Sequence, residues 1–256
     1  MTQISQILHK GSRSSIAVNI TLSLLLLMPT VALAGGNNSD DPPPKTTGTS
    51  GGSRGCETQT ETSLSSIPAL ILLAPTQRYG QTVATRPTFA WFVRDSGSWQ
   101  MEFRLYEYDP ASKQSKLVKE IKDENFKSTP GIMALSVSSP ELSLGKRYLW
   151  QVELVCDANR PSGNPFAIGA MKVVPVPPDL NTKLSQTNDL FSKATLYAQG
   201  DLWYNALGIV LAAKDEPRMR EIKMSLIEQV AAGAETAVKD KAKAELTNSA
   251  IHQLQR

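Results

Sequence analysis

Between residues 64 and 176, apolar side chains return at every second position, and that period decides the fold class of this stretch. Phe89, Trp91 and Val93 alternate after Pro87. Met101, Phe103 and Leu105 alternate with Glu102, Arg104 and Tyr106. Met133, Leu135 and Val137 alternate after Pro130-Gly131, and Tyr148, Trp150, Val152, Leu154 and Cys156 share one face of a longer run. A short apolar run at Leu70 to Leu73, a lysine-rich run at Leu117 to Ile121 and a closing run from Phe166 to Val174 complete the set. On a helix this period would scatter the apolar residues around the circumference; on a strand it gathers them on one face. About seven such segments with turn residues between them predict an immunoglobulin-like antiparallel β-sandwich over 56–176. Leu142-x-Leu144-Gly145-x-x-Tyr148-x-Trp150 has the form of a tyrosine corner, in which Tyr148 opens a strand and its hydroxyl bonds backbone just upstream.

After Val174-Pro175-Val176-Pro177-Pro178, a stiff connector, the period changes to 3.6. Leu180, Leu184, Leu190, Phe191, Ala194, Leu196 and Tyr197 predict one helix, with Asp179 placed to cap it and Gly200 to stop it. Asp201 is placed to cap a second helix, with Trp203, Ala206, Leu207, Val210 and Leu211 facing inward. A third begins after Pro217 with Met219, Ile222, Leu226, Ile227 and Val230. The crossing at Gly200 resembles one tetratricopeptide unit, but a solenoid needs at least about three. The expectation for 177–234 is therefore a helical hairpin or three-helix segment packed on the sandwich. Residues 235–256, rich in Ala, Lys and Glu, read as a frayed helix or a tail.

The amino-terminal stretch speaks to location. Lys10 and Arg13 precede an apolar run from Ile16 to Leu27, Pro29 breaks it, and Ala32-Leu33-Ala34 fits the small-residue rule for signal peptidase. Residues 1–34 thus read as a signal peptide, cleaved after Ala34. An uncleaved anchor is the alternative, since no charge lies between Arg13 and Asp40. Residues 35–55 are Gly, Ser, Thr, Asn and Pro, with nothing apolar enough to offset the cost of ordering, and read as a disordered spacer. The chain has 2 Cys, Cys56 and Cys156, both beyond the leader. Two cysteines in an exported chain usually pair, and a bridge would join the start of the sandwich to its penultimate strand. One buried thiol and one loose one is the rival arrangement.

Composition narrows the chemistry. With 41% hydrophobic and 20% charged residues and a mean hydropathy of −0.22, the chain is an ordinary folding sequence. A net charge of +3 is too small for a dedicated nucleic-acid binder. His9 lies in the leader and His252 in the tail, so the predicted core lacks the base of a Ser–His–Asp or Cys–His arrangement. Two Cys without a nearby His cannot complete a tetrahedral metal site. No P-loop or GxGxxG gives a nucleotide a handle. No catalytic, metal or cofactor-binding residue is assigned. Asp157-Ala158-Asn159 reads as a capped turn rather than a calcium loop, and Glu153 as an outward residue of a solvated strand.

Binding surfaces are better supported. Trp99, Tyr106 and Tyr108 are expected at the surface, since both tyrosines alternate with the inward set, and exposed aromatics anchor partners or stack on sugars. Trp203 and Tyr204 are adjacent on a helix and must face different ways: Trp203 is expected in the core and Tyr204 on the surface. Lys113, Lys116, Lys119, Lys122 and Lys127 gather around one hairpin, where they read as guards of a sheet edge.

Several segments resemble a secreted bacterial, mostly cyanobacterial, family known as domain of unknown function 928. They are Gly51-Gly52-Ser53-Arg54-Gly55-Cys56, Ala69-Leu70-Ile71-Leu72-Leu73-Ala74-Pro75, Arg86-Pro87-Thr88-Phe89-Ala90-Trp91-Phe92, Thr129-Pro130-Gly131-Ile132, Leu144-Gly145-Lys146-Arg147-Tyr148-x-Trp150, Val155-Cys156-Asp157 and Leu202-Trp203-Tyr204-Asn205-Ala206-Leu207. Where this chain has Asn205 the family usually has Asp. The resemblance implies an exported protein and brings no activity with it. The combined expectation is a periplasmic or extracellular, non-enzymatic interaction or adaptor module. Its partner would be another envelope or secreted protein, with no nucleic acid, and with a membrane only through an uncleaved leader. A carbohydrate- or envelope-polymer-binding protein and a hydrolase that works without His are the alternatives. The oligomeric state is left open.

Overall fold

The computed structural model describes residues 55–56, 67–213, 216–231 and 236–256. The expected leader, and all of the expected spacer but Gly55, lie outside the described residues. The described strands are β1 (Leu70–Leu72), β2 (Gly80–Thr82), β3 (Thr88–Val93), β4 (Gln100–Asp109), β5 (Gln114–Ile121), β6 (Gly131–Ser136), β7 (Arg147–Val155), β8 (Phe166–Val173) and β9 (Ile251–Gln255). The helices are α1 (Pro178–Ser185), α2 (Leu190–Gln199), α3 (Trp203–Ala212), α4 (Pro217–Ala231) and α5 (Thr236–Asn248), all between β8 and β9.

The strands form two sheets, one of four in the order β1-β3-β6-β9 and one of five in the order β2-β8-β7-β4-β5. They are mixed rather than wholly antiparallel: β2 runs parallel to β8, and β9 parallel to β6. Both parallel pairs lie at sheet edges. Three residues are too few for β2 to show a period, and the side chains of β9 are half-buried or exposed throughout, so the period of two could not reveal them.

Aromatic side chains fill the space between the sheets. Phe89 of β3 lies 5.1 Å from Phe103 of β4 and 5.2 Å from Trp150 of β7, centroid to centroid. Trp91 stacks on Phe103 and meets Phe126 edge-on. Each such ring buries roughly 150–250 Å², or about 4–6 kcal/mol of transfer free energy at ~25 cal/mol per Å². The two sheets differ in what covers them. Strands β4 and β7 alternate buried and half-buried residues, whereas β1 is buried throughout and β3 and β6 at all but one position each. Helix α3 packs on β3 of the four-stranded sheet and on β2 of the five-stranded one, and α4 packs on α3.

The helical region departs from expectation in three places. The first expected helix is two, broken at Asp189, whose carboxylate accepts the Ser192 N–H at 2.9 Å and caps α2. The Ser192 hydroxyl and amide hold that carboxyl below its ordinary range. Asp179 sits in the first turn of α1 rather than at its cap, because Pro177 and Pro178 already fix the entry. Asp201 does not cap α3: it adopts a left-handed φ of 59° and turns its carboxylate to the Arg78 guanidinium at 2.6 Å. Burial pushes that carboxyl up, against the pull of Arg78.

Residues 235–256, expected as a frayed helix or tail, form α5 and β9 instead. Ala242 and Leu246, one turn apart, are buried at 4% and 0% exposure, which is enough to dock an otherwise charged helix. His252 therefore belongs to the sheet, its Nε2 2.9 Å from the Pro130 carbonyl.

Candidate functional site

Tyr204 is the first of the proposed binding residues to be relocated. It is 1% exposed, and Trp150 Nε1 donates a 2.8 Å hydrogen bond to its hydroxyl oxygen. Its ring meets Phe89 and Trp150 edge-on, at 6.2 and 6.5 Å. Burial pushes the hydroxyl pKa up, so it stays neutral. Trp203 is buried as well, donating to the Leu73 carbonyl at 3.1 Å. Adjacent helical residues do face different ways; here both directions are interior, because α3 is wedged against both sheets. Two glycines make the room. A Cβ on Gly169 would stand 2.7 Å from Trp150 Nε1, and one on Gly80 2.7 Å from the Tyr204 ring. Neither glycine stood out in the sequence, since the requirement comes from residues distant in the chain.

Asn205 fastens the same helix from its neighbouring position. Its Oδ1 accepts the Val83 N–H at 2.9 Å and the Thr82 hydroxyl at 3.1 Å, while Thr82 Oγ1 accepts the Ala84 N–H. Among the described residues only the carbonyl oxygen of the amide is used, and an aspartate oxygen would serve equally. Asn205→Asp is expected to shift stability by less than about 1 kcal/mol. Asn205→Leu is expected to cost about 1–3 kcal/mol, because the Val83 amide and the fully buried Thr82 hydroxyl lose their acceptor. Urea unfolding of the two variants checks the pair.

The corner and the bridge lie at opposite ends of β7. At its start, the Ser143 N–H donates to the Tyr148 hydroxyl at 2.8 Å, and Tyr148 and Trp150 are both buried. Beyond its end, Cys156 is disulfide-bonded to Cys56. The Cys56 N–H donates to Asp95 Oδ2 at 2.7 Å, and Asp95, 1% exposed, is paired with Arg94. The Asp157 carboxylate accepts the Asn159 N–H at 2.8 Å, closing a turn.

Tyr106 and Tyr108 lie half-buried on the outer face of the five-stranded sheet. The register sets Leu117 and Leu149 on either side of Tyr106, an apolar row spanning roughly 10 Å. Leu117 is 49% exposed, and Phe166, further along the same face, 44%. Beside the row, Arg104 contacts Glu102, Glu120 at 3.0 Å and Glu153 at 3.3 Å. Burial opposes charging, but the Glu120 hydrogen bond and the surrounding carboxylates raise the Arg104 pKa. Hydrogen bonds from Lys122 and Arg104 hold Glu120 below its ordinary range. Glu153 also accepts from Asn164 Nδ2 at 3.0 Å, so it serves this network rather than facing open water. Leu117, Leu149 and Phe166 were missed as site residues, since only the pairing register puts Leu117 and Leu149 beside Tyr106 and Phe166 on the same face.

Trp99 does not join this group. It precedes β4, seven residues from Tyr106, or roughly 23 Å along a strand, and its backbone is clamped to Ser128. The lysines line the edge of the same sheet: Lys113 in a left-handed turn, Lys116 and Lys119 on β5, and Lys122 paired with Glu120 at 3.0 Å. A concavity of about 250 Å³ lies where α3, α4, α5 and β9 meet, lined by Val210, Glu216, Met219, Arg220, Lys223 and Ile251 among others. There Lys223 Nζ caps the carboxyl end of α5 through the Thr247 carbonyl at 3.0 Å. Among the described residues, no cluster of His, Cys, Asp and Glu is placed to hold a metal ion, and no helix is long and apolar enough to cross a membrane.

No curated protein and no solved structure matches the chain. The sequence pattern of one family, Domain of Unknown Function (DUF928), matches residues 49–238, which takes in Cys56, all strands but β9, the corner at Tyr148 and the Trp203–Tyr204–Asn205 anchor. The match covers well over half of the 256 residues, and the chain belongs to the DUF928 family.

Proposed function

We propose that this chain is an exported interaction module that binds another envelope or secreted protein through the outer face of its five-stranded sheet. The observation that carries the reading is the row Leu117–Tyr106–Leu149. It is an apolar strip on the outer face of the five-stranded sheet, bordered by the Arg104 network and by the basic groups of β5. An aromatic flanked by aliphatics and rimmed by charge is the composition of a protein-docking surface. An immunoglobulin-like arrangement is supported by the strand order β2-β8-β7-β4-β5 against β1-β3-β6 and by the bond from Ser143 to Tyr148. Export to the periplasm or beyond is supported by the leader pattern and by the Cys56–Cys156 bridge.

A photo-crosslinking side chain at Tyr106, and separately at Leu117, tests the reading in intact cells. Leu144, 62% exposed on the turn before β7, is the control position. A discrete protein adduct at both test positions and none at Leu144 is the expected result. No adduct, or the same adducts at all three positions, sinks the proposal. Quenching of tryptophan fluorescence by envelope glycans, abolished by Tyr106→Ala, would instead favour the carbohydrate reading.

A further inference from the structure

The four ends of the two sheets are not equally protected. The β1 edge is three residues long and wholly buried. Beside β2, the Val83 N–H is taken by Asn205 of α3. Strand β5 carries Lys116 and Lys119, charges that resist pairing with another strand. Strand β9, Ile251-His252-Gln253-Leu254-Gln255, carries neither acid nor lysine nor proline, and it ends its sheet.

The direction of its backbone groups follows from its bonds to β6. The Ile132 N–H donates to the Ala250 carbonyl, the Arg256 N–H to the Ser136 carbonyl, and the Ser138 N–H to the Arg256 carbonyl. Even-numbered residues of this segment therefore bond toward β6. In a parallel ladder the odd ones, Ile251, Gln253 and Gln255, turn their N–H and C=O groups the other way. Among the described residues no backbone hydrogen bond reaches that side. The strand is held in place on its own: Gln253 Nε2 donates to the Leu211 carbonyl at 2.8 Å, and Arg256 reaches Asp123 at 3.5 Å and lies over the Phe126 ring.

We infer that two copies of this chain associate by antiparallel pairing of β9 with β9 across a two-fold axis at Gln253. That register opposes Gln253 to Gln253, and Ile251 to Gln255, in both directions. All three are outward-bonding positions, so every outward N–H and C=O of the strand gains a partner, in about six interchain bonds. The positions between oppose His252 to Leu254, so no like charges meet. The two four-stranded sheets become one of eight strands, and the interface is isologous. One strand pair buries less than the roughly 1,200 Å² of a standard interface, so the dimer is weak and set by concentration.

The test uses the full chain as secreted, with its disulfide intact. Gln253→Cys is expected to crosslink to itself under mild oxidation, since Cα atoms in a hydrogen-bonded antiparallel pair lie about 5.5 Å apart, within disulfide reach. Gln255→Cys is expected not to, its two copies lying four residues out of register, roughly 13 Å apart. Sedimentation of the wild type over a hundredfold concentration range, reaching about 1 mM, is expected to show monomer passing to dimer. Gln253→Pro is expected to stay monomeric: it removes an N–H that β6 does not use, and its melting temperature falls only by what the lost bond from Gln253 Nε2 to the Leu211 carbonyl contributes. A wild type monomeric throughout, or Gln253→Cys crosslinking no faster than Gln255→Cys, overturns the inference. The cysteine pair decides it even where Gln253→Pro fails to fold.

Discussion

Tyr204→Ala is expected to lower the folding stability by about 3–5 kcal/mol, the cost of removing a buried aromatic whose site cannot collapse. The Tyr204 ring sits against Phe89 and Trp150 and over Gly80, which has no side chain to fill the gap. The substitution also strands Trp150 Nε1, whose bond is to the Tyr204 hydroxyl. Tyr204→Phe separates the two losses. It keeps the ring and removes the acceptor, and is expected to cost about 1–3 kcal/mol. Urea unfolding followed by tryptophan fluorescence and by far-ultraviolet circular dichroism gives both values. The two signals should coincide, because one continuous core runs from Leu70 through Trp150 to Leu246. A loss below about 1 kcal/mol for Tyr204→Ala, or helices that melt before the strands, would mean that α3 is an appendage rather than part of the core.

That outcome bears on what the sequence disclosed. The strands were legible wherever an alternating pattern met a buried and a wet face, as in Met101–Phe103–Leu105 and Tyr148–Trp150–Val152–Leu154. The helices were legible by their period, but their caps were not. Asp201 has the same capping chemistry as Asp189, but its left-handed backbone and the partners Arg78, 123 residues away, and Gln81 take its carboxylate elsewhere. Tyr204 was assigned to the surface by an argument valid for a helix lying on a flat sheet. A helix wedged against both sheets has two buried directions, and nothing within residues 202–207 announces the wedge. The strand β9 was hidden because its neighbours supply most of its order: its own side chains are half-buried or exposed, and its bonds are backbone bonds to β6. On the outer face the two tyrosines were legible as outward residues. The aliphatic row around Tyr106 was not, because cross-strand neighbours depend on a register that turn lengths and a bulge between Leu105 and Tyr106 decide.

Removing the bridge, by Cys56→Ser together with Cys156→Ser, is expected to lower the unfolding free energy by about 2–4 kcal/mol. The bridge spans a sequence separation of 100 residues, so its loss releases a long loop of the unfolded chain. What remains at Cys56 is the hydrogen bond from its N–H to Asp95, a carboxylate already committed to Arg94. One such bond contributes about 1–3 kcal/mol and cannot alone replace the covalent link. Denaturant unfolding of the oxidised wild type, the reduced wild type and the double-serine chain measures the effect, and equal midpoints for all three would refute it. Asp95→Asn is the informative companion: it keeps the bridge and removes the charge, so its loss should be smaller with the bridge present than in the double-serine background. The position of the bridge matters as well as its loop length. Cys156 follows β7, the central strand of the five-stranded sheet, whereas the chain entering from Cys56 leads toward β1 at the edge of the other sheet. The bridge therefore fixes Cys56 to the end of a strand paired on both flanks rather than to the three-residue edge strand β1.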